Sequence, residues 1–204
     1  MSGKLFFILA FCSARAIAEI EIIESPPLTN WGEWYNYEGC PYASYVYGFQ
    51  LRVHEFWDSS VTDDTALNSL YLLCSTPDAR RAGYEIFGPD AYTPPLTMIS
   101  SKVGLYGDLR REWQCSSPRF AIGFELRVLE SQGILWDDVA ASNLILHCGY
   151  GESLLGDGED VGVWTGENRC TPGRVICGIQ TQIEFAKFDD TALNNVKMGC
   201  CDPV

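Results

Sequence analysis

Along the chain, Phe49, Leu51 and Val53 alternate with Gln50, Arg52 and His54, and the same period of two returns at Phe124, Leu126 and Val128 against Glu125, Arg127 and Leu129. A third stretch sets Ile179, Thr181 and Ile183 against Gln180, Gln182 and Glu184. Successive side chains of a strand point to opposite faces, so each stretch predicts a strand with one buried face. A second run follows each: Leu70, Leu72, Cys74; Leu144, Leu146, Cys148; and Val196, Met198, Cys200, with the closing cysteine on the core-facing side. Nowhere do apolar residues hold an i, i+3, i+4, i+7 spacing over three turns. No helix of consequence is expected, and the class is all-β.

These pairs of strands belong to a threefold internal repeat. The copies run Cys40, Gly48, Asp63-Asp64, Cys74; Cys115, Gly123, Asp137-Asp138, Cys148; and Cys170, Gly178, Asp189-Asp190, Cys200. Cysteine to glycine is eight residues and first Asp to closing cysteine eleven in every copy, while glycine to Asp varies as 15, 14 and 11. One supersecondary unit per copy cannot bury its apolar face alone, so the three are expected to close over one core. An aromatic, a glycine and an acid precede each opening cysteine: Trp31-Gly32-Glu33, Tyr106-Gly107-Asp108, and Trp164 with Gly166-Glu167. The copies span about 28–74, 101–148 and 160–201. The linker Ser75 to Ser100 reads as an exposed loop, and Gly149 to Asp160 as a solvated acidic one.

Lys4, an apolar run from Leu5 to Cys12 and the small residues ending Ala16-Ile17-Ala18 read as a secretory signal over 1–18, leaving 19–204 as a single domain. Removing it leaves eight cysteines, which in an oxidising compartment means four disulfides. It also leaves 12 basic residues against 27 acidic ones, a formal charge of −15. Such a field repels phosphate backbones, which argues against nucleic acid and admits basic secreted proteins as partners. No stretch approaches the ~20 apolar residues of a membrane span.

Trp-Gly-Glu-Trp at 31–34, Gly-Phe-x-Leu-Arg-Val at 48–53 and 123–128, Asp-Asp-Thr-Ala-Leu-Asn at 63–68 and 189–194, and the terminal Cys200-Cys201 together resemble the vitelline membrane outer layer protein family. The resemblance covers essentially the whole chain after the leader. It implies a β-prism of three Greek-key sheets with pseudo-threefold symmetry, secretion to an extracellular location, and a structural or binding role in an egg-coat-like layer, with coat proteins or glycans as partners. The alternative it leaves is a glycan-processing hydrolase or transferase acting on N-acetylglucosamine oligomers. The chain departs from the pattern at Val139 and Ser142 in the middle copy, at Gln182 where the other copies have Arg52 and Arg127, and in its long first linker. Equivalent cysteines should pair equivalently: Cys40 with Cys74, Cys115 with Cys148, Cys170 with Cys200, and the extra Cys177 with the extra Cys201.

Flat aromatic faces beside carboxylates are how proteins hold sugar rings, which makes Trp57, Trp136 and Phe188 with Asp63, Asp137 and Asp189 the candidate ligand-binding set. The competing reading of the Asp pairs is structural: an Asp entering a strand accepts backbone amides, Thr65 or Thr191 adds a hydroxyl bond, and Arg52 and Arg127 pair with the carboxylates. Asp157, Glu159 and Asp160 lack the ligand spacing of a calcium loop. His54 and His147 stand near no serine with a recognisable signature, and no zinc or phosphate-binding motif occurs. No catalytic residue, metal or cofactor is assigned. Glu33, Asp108 and Glu167 keep the threefold pattern, which argues for structure.

Overall fold

The computed structural model describes residues 19–55, 65–90, 92, 94–130, 140–185 and 191–204. Three long antiparallel hairpins carry the repeat: β4 (Tyr45–Val53) with β5 (Leu67–Ser75), β8 (Ala121–Val128) with β9 (Ala141–Cys148), and β13 (Val175–Glu184) with β14 (Ala192–Cys201). Each hairpin forms the middle of its own sheet. The alternation turns Phe49, Leu51, Phe124, Leu126, Ile179 and Met198 inward, all with no exposure, into one continuous cluster shared by the three sheets. The fold is a β-prism, and burial of each such side chain contributes about 1.5–3 kcal/mol.

The outer strands come from the segments that lead into and link the hairpins. They are β1 (Glu21–Glu24), β2 (Glu33–Trp34), β3 (Glu38–Gly39), β6 (Thr97–Ile99), β7 (Asp108–Gln114), β10 (Ser153–Leu155), β11 (Val163–Trp164) and β12 (Asn168–Arg169). The sheet orders are β6-β5-β4-β7, β10-β9-β8-β11 with β12 also on β8, and β1-β14-β13-β2 with β3 also on β13. The strand before each opening cysteine therefore joins the hairpin of the preceding copy, and β2 and β3 close the circle on the last one.

This exchange gives the disulfides their role. Cys40, just after β3 in the third sheet, is bonded to Cys74 in the first; Cys115, just after β7, to Cys148 in the second; and Cys170, just after β12, to Cys200 in the third. Three bridges thus join three sheets into a covalent ring. The fourth, Cys177–Cys201, lies within the third sheet, between β13 and β14.

Each first strand carries a bulge at the residue before its repeat glycine. The register skips between Val46 and Gly48, Ala121 and Gly123, and Ile176 and Gly178, leaving Tyr47, Ile122 and Cys177 outside the ladder. The glycines are required by close approach: a Cβ on Gly48 would lie 2.3 Å from Trp113 O, and one on Gly123 2.5 Å from Asn168 O.

The long first linker is not an open loop. It holds a helix, α1 (Pro77–Phe87), followed by edge strand β6. The expectation of no helix fails here because the buried residue of α1 is not an apolar stripe but Arg80, fully covered, its guanidinium 4.3 Å from the centre of the Tyr47 ring and bonded to the Cys115 carbonyl. The start signals are local: Thr76 Oγ1 accepts the Ala79 amide at 3.3 Å, and Pro77 opens the first turn.

A second difference concerns the aromatic-glycine-acid element. Gly32 and Gly107 have φ of 77° and 82°, and a Cβ on either would meet the backbone of Ile183 or Val53 at 2.3 Å. Their counterpart is Gly162, at φ 83°, where a Cβ would lie 2.3 Å from Val128 O, and not Gly166, where a Cβ would meet open space. Glu167 consequently breaks the threefold pattern. Among the described residues no helix is long and apolar enough to cross a membrane.

Candidate functional site

The candidate ligand residues Trp57, Trp136, Phe188, Asp63, Asp137 and Asp189 lie outside the described residues. The ends of their motifs are described and are structural. Asn68 Nδ2 donates to Thr65 Oγ1 at 2.5 Å and Asn194 Nδ2 to Thr191 Oγ1 at 2.7 Å, around Ala66 and Ala192 held at φ 42° and 49°. Arg127 pairs with Asp160 and donates to the Gly162 carbonyl at 3.1 Å; Gln182 donates to the equivalent Gly32 carbonyl at 3.4 Å. Asp157 accepts from Trp113 Nε1, and Glu159 lies 3.9 Å from Arg110, so the acids of the second linker are turned to separate protein partners.

At the disulfide end, the three bulge residues meet three different surroundings. Tyr47 is covered by Arg80 of α1, and burial pushes its phenol well above the ordinary value while lowering the guanidinium's. Cys177 is consumed in its bridge, which borders the smaller hollow beside Tyr42. Ile122 instead faces a cleft of about 500 Å³, twice the 260 Å³ of the hollows beside Tyr42 and Tyr92.

Aromatic and guanidinium groups line that cleft. Tyr150, in a 3₁₀ turn that follows β9, has φ 63° and ψ 29° and is 93% exposed, with Arg119 5.4 Å from its ring centre. Phe120 forms another wall and is anchored edge-on against Tyr45 at 5.7 Å. Arg119 is held by Glu152 at 3.1 Å, whose carboxylate also takes the Ser116 amide at 3.0 Å and hydroxyl at 2.7 Å. Arg174, across the cleft, is held by Asp202 at 3.2 Å and Glu21 at 3.6 Å. Two guanidiniums against three carboxylates leave no excess positive charge. The volume falls in the range of small-molecule sites, and apolar walls with fixed donors and acceptors suit a neutral polyhydroxyl ligand better than an anion.

Sequence reading missed this cleft because its residues share no motif; only Ile122, standing where the other copies have Tyr47 and Cys177, marked the position.

A family model described as Vitelline membrane outer layer protein I (VOMI) matches residues 21–203. Among curated proteins, the human "Vitelline membrane outer layer protein 1 homolog" is 33% identical over 189 residues, covering 90% of this chain and 83% of its own. The mouse homologue is 33% identical over 176 residues, covering 84% and 78%. Among solved structures, a prostate-specific glycoprotein lectin superposes with TM-score 0.55 at 10% identity, covering 89% of this chain and 99% of its own. Calystegia sepium agglutinin gives 0.52 at 10%, covering 91% and 98%, and a mannose-binding jacalin-related lectin from Ananas comosus 0.51 at 9%, covering 90% and 99%.

Proposed function

The chain belongs to the vitelline membrane outer layer protein I family, and from that premise we propose that it is a secreted structural and binding component of an extracellular, egg-coat-like layer that holds neutral glycans in the cleft beside Ile122. The observation that carries this reading is the asymmetry of the bulges: α1 covers one, a disulfide leaves only a hollow half the size at another, and the third opens on a cleft walled by Tyr150 and Phe120. The lectins that share the fold are described as binding mannose or N-glycans, which supports a glycan as the ligand class. Coat proteins, basic secreted proteins among them, are the proposed macromolecular partners. The bridges that tie the sheets together suit a component that must persist outside the cell.

The test is a glycan array on the oxidised protein, followed by calorimetric titration of the best neutral oligosaccharide. Tyr150→Ala should weaken binding about two- to tenfold, because stacking of a sugar on an exposed ring is worth about 0.5–1.5 kcal/mol. Binding that survives Tyr150→Ala and Arg119→Ala together excludes the cleft. The same titration on Trp57→Ala and Trp136→Ala tests those two residues as a second proposed contact set.

A further inference from the structure

The outer face of the second sheet carries a hydrogen-bonded line of polar side chains that is not repeated at the equivalent positions of the other two. Ser153 on edge strand β10 lies opposite His147 on β9, with His147 Nδ1 2.9 Å from Ser153 Oγ. His147 Nε2 is 3.0 Å from Glu125 Oε1 on β8 and 3.6 Å from Glu167 Oε1, and Glu167 is itself paired with Arg169. The imidazole is 7% exposed, while Ser153 is open to solvent.

The same register positions elsewhere hold other chemistry. Where the second sheet has Ser153, His147 and Glu125, the first has Met98, Leu73 and Gln50, and the third has Ile22, Gly199 and Gln180. Gln50 donates to a carbonyl of the exchanged strand β7, Arg110 O at 2.6 Å, and Gln180 to one just after β2, Tyr35 O at 2.7 Å. A carboxylate cannot donate, so Glu125 gives up that bond and takes the imidazole instead. The line is therefore a local departure and not a by-product of the repeat.

We propose that Ser153 is an activated nucleophile, with His147 as its base and Glu125 orienting the ring, and that the second sheet hydrolyses esters of small acyl groups. Two carboxylates at Nε2 place the imidazole proton there, which leaves the Nδ1 lone pair facing the serine hydroxyl. Ser153 Oγ attacks the acyl carbon and the bond to the alcohol oxygen breaks. His147 Nδ1 takes the serine proton and delivers it to the departing alkoxide. Water, deprotonated by the same nitrogen, then attacks the acyl-serine, releasing the acid and restoring the hydroxyl. Cys148 N–H donates to Glu152 O and Gly156 N–H to Leu144 O, so alternation turns the Ser153 amide to the open sheet edge, where it can donate to the oxyanion. The open edge suits a short acyl group, and the inference stands apart from the glycan reading.

The test measures p-nitrophenyl acetate hydrolysis by the oxidised full chain, with peptide mapping after treatment with an alkyl fluorophosphonate. The expected result is phenolate release beyond one equivalent and a fluorophosphonate adduct on Ser153. Release should vanish in Ser153→Ala at unchanged melting temperature, and fall by about 10²-fold or more in His147→Gln. Glu125→Gln, which restores the residue of the other sheets, should keep the fold and lower the rate. Release that stops at one equivalent, survives Ser153→Ala, or is unaffected by Glu125→Gln overturns the proposal.

Discussion

Replacing Cys115 and Cys148 together by Ser opens the covalent ring at one joint, and its cost follows from the length of chain the bridge encloses. The separation is 33 residues, for which the chain-entropy relation gives about 3.8 kcal/mol at 25 °C. For a chain of this size that corresponds to a fall in melting temperature of about 8–15 °C. The Cys177–Cys201 bridge spans 24 residues and would seem almost as valuable. It is not, because Cys170–Cys200 already ties the same stretch: in the unfolded chain Cys177 reaches Cys201 through that bridge along roughly nine residues, which reduces the gain to about 2.6 kcal/mol. The paired variants, compared by calorimetry and by urea unfolding, should therefore rank Cys115/Cys148 as clearly more costly than Cys177/Cys201. Equal losses, or the reverse order, would refute the idea that the ring acts chiefly on the unfolded state.

Gly162→Ala should destabilise by more than about 2 kcal/mol because strain and a backbone collision combine, while Gly166→Ala should cost only about 1 kcal/mol, both read by urea unfolding. Thr76→Ala removes the α1 cap and should cost about 1 kcal/mol in the same measurement. Burial pushes the phenols of Tyr37 and Tyr47 up, so the folded chain keeps protons that the unfolded chain releases. Stability from this source is intact below about pH 10 and is lost as pH rises further, and Tyr47→Phe should show a flatter alkaline limb in unfolding followed from about pH 9 to about pH 11.

The central hairpins were legible because their alternation is a direct consequence of one wet and one dry face, and the closing cysteines fell on the dry side with it. The strand exchange was not. β2, β3, β11 and β12 are two residues long, too short for any period to show which hairpin they join. Helix α1 escaped because hydrophobic periodicity is the usual signal, and this helix packs through an arginine over a tyrosine. Gly166 follows Trp164 as a decoy for Gly162, because sequence spacing cannot report which glycine lies against a neighbouring backbone. Ser153 and His147 are six apart across a turn, so they became neighbours only once that turn folded the two strands together.

The bulge residue in each first strand is skipped by the pairing with the second strand and gives only its carbonyl, which accepts the amide of an opening cysteine. Its side chain is therefore released from the alternation that dictates every other position in those strands. A lid, an opening and a cross-link now occupy the three slots, and none required a change of register or of core. The fold thus separates what it must conserve from what it is free to vary, one residue per face. New surface chemistry can enter this architecture at positions 47, 122 and 177 while the prism beneath stays the same.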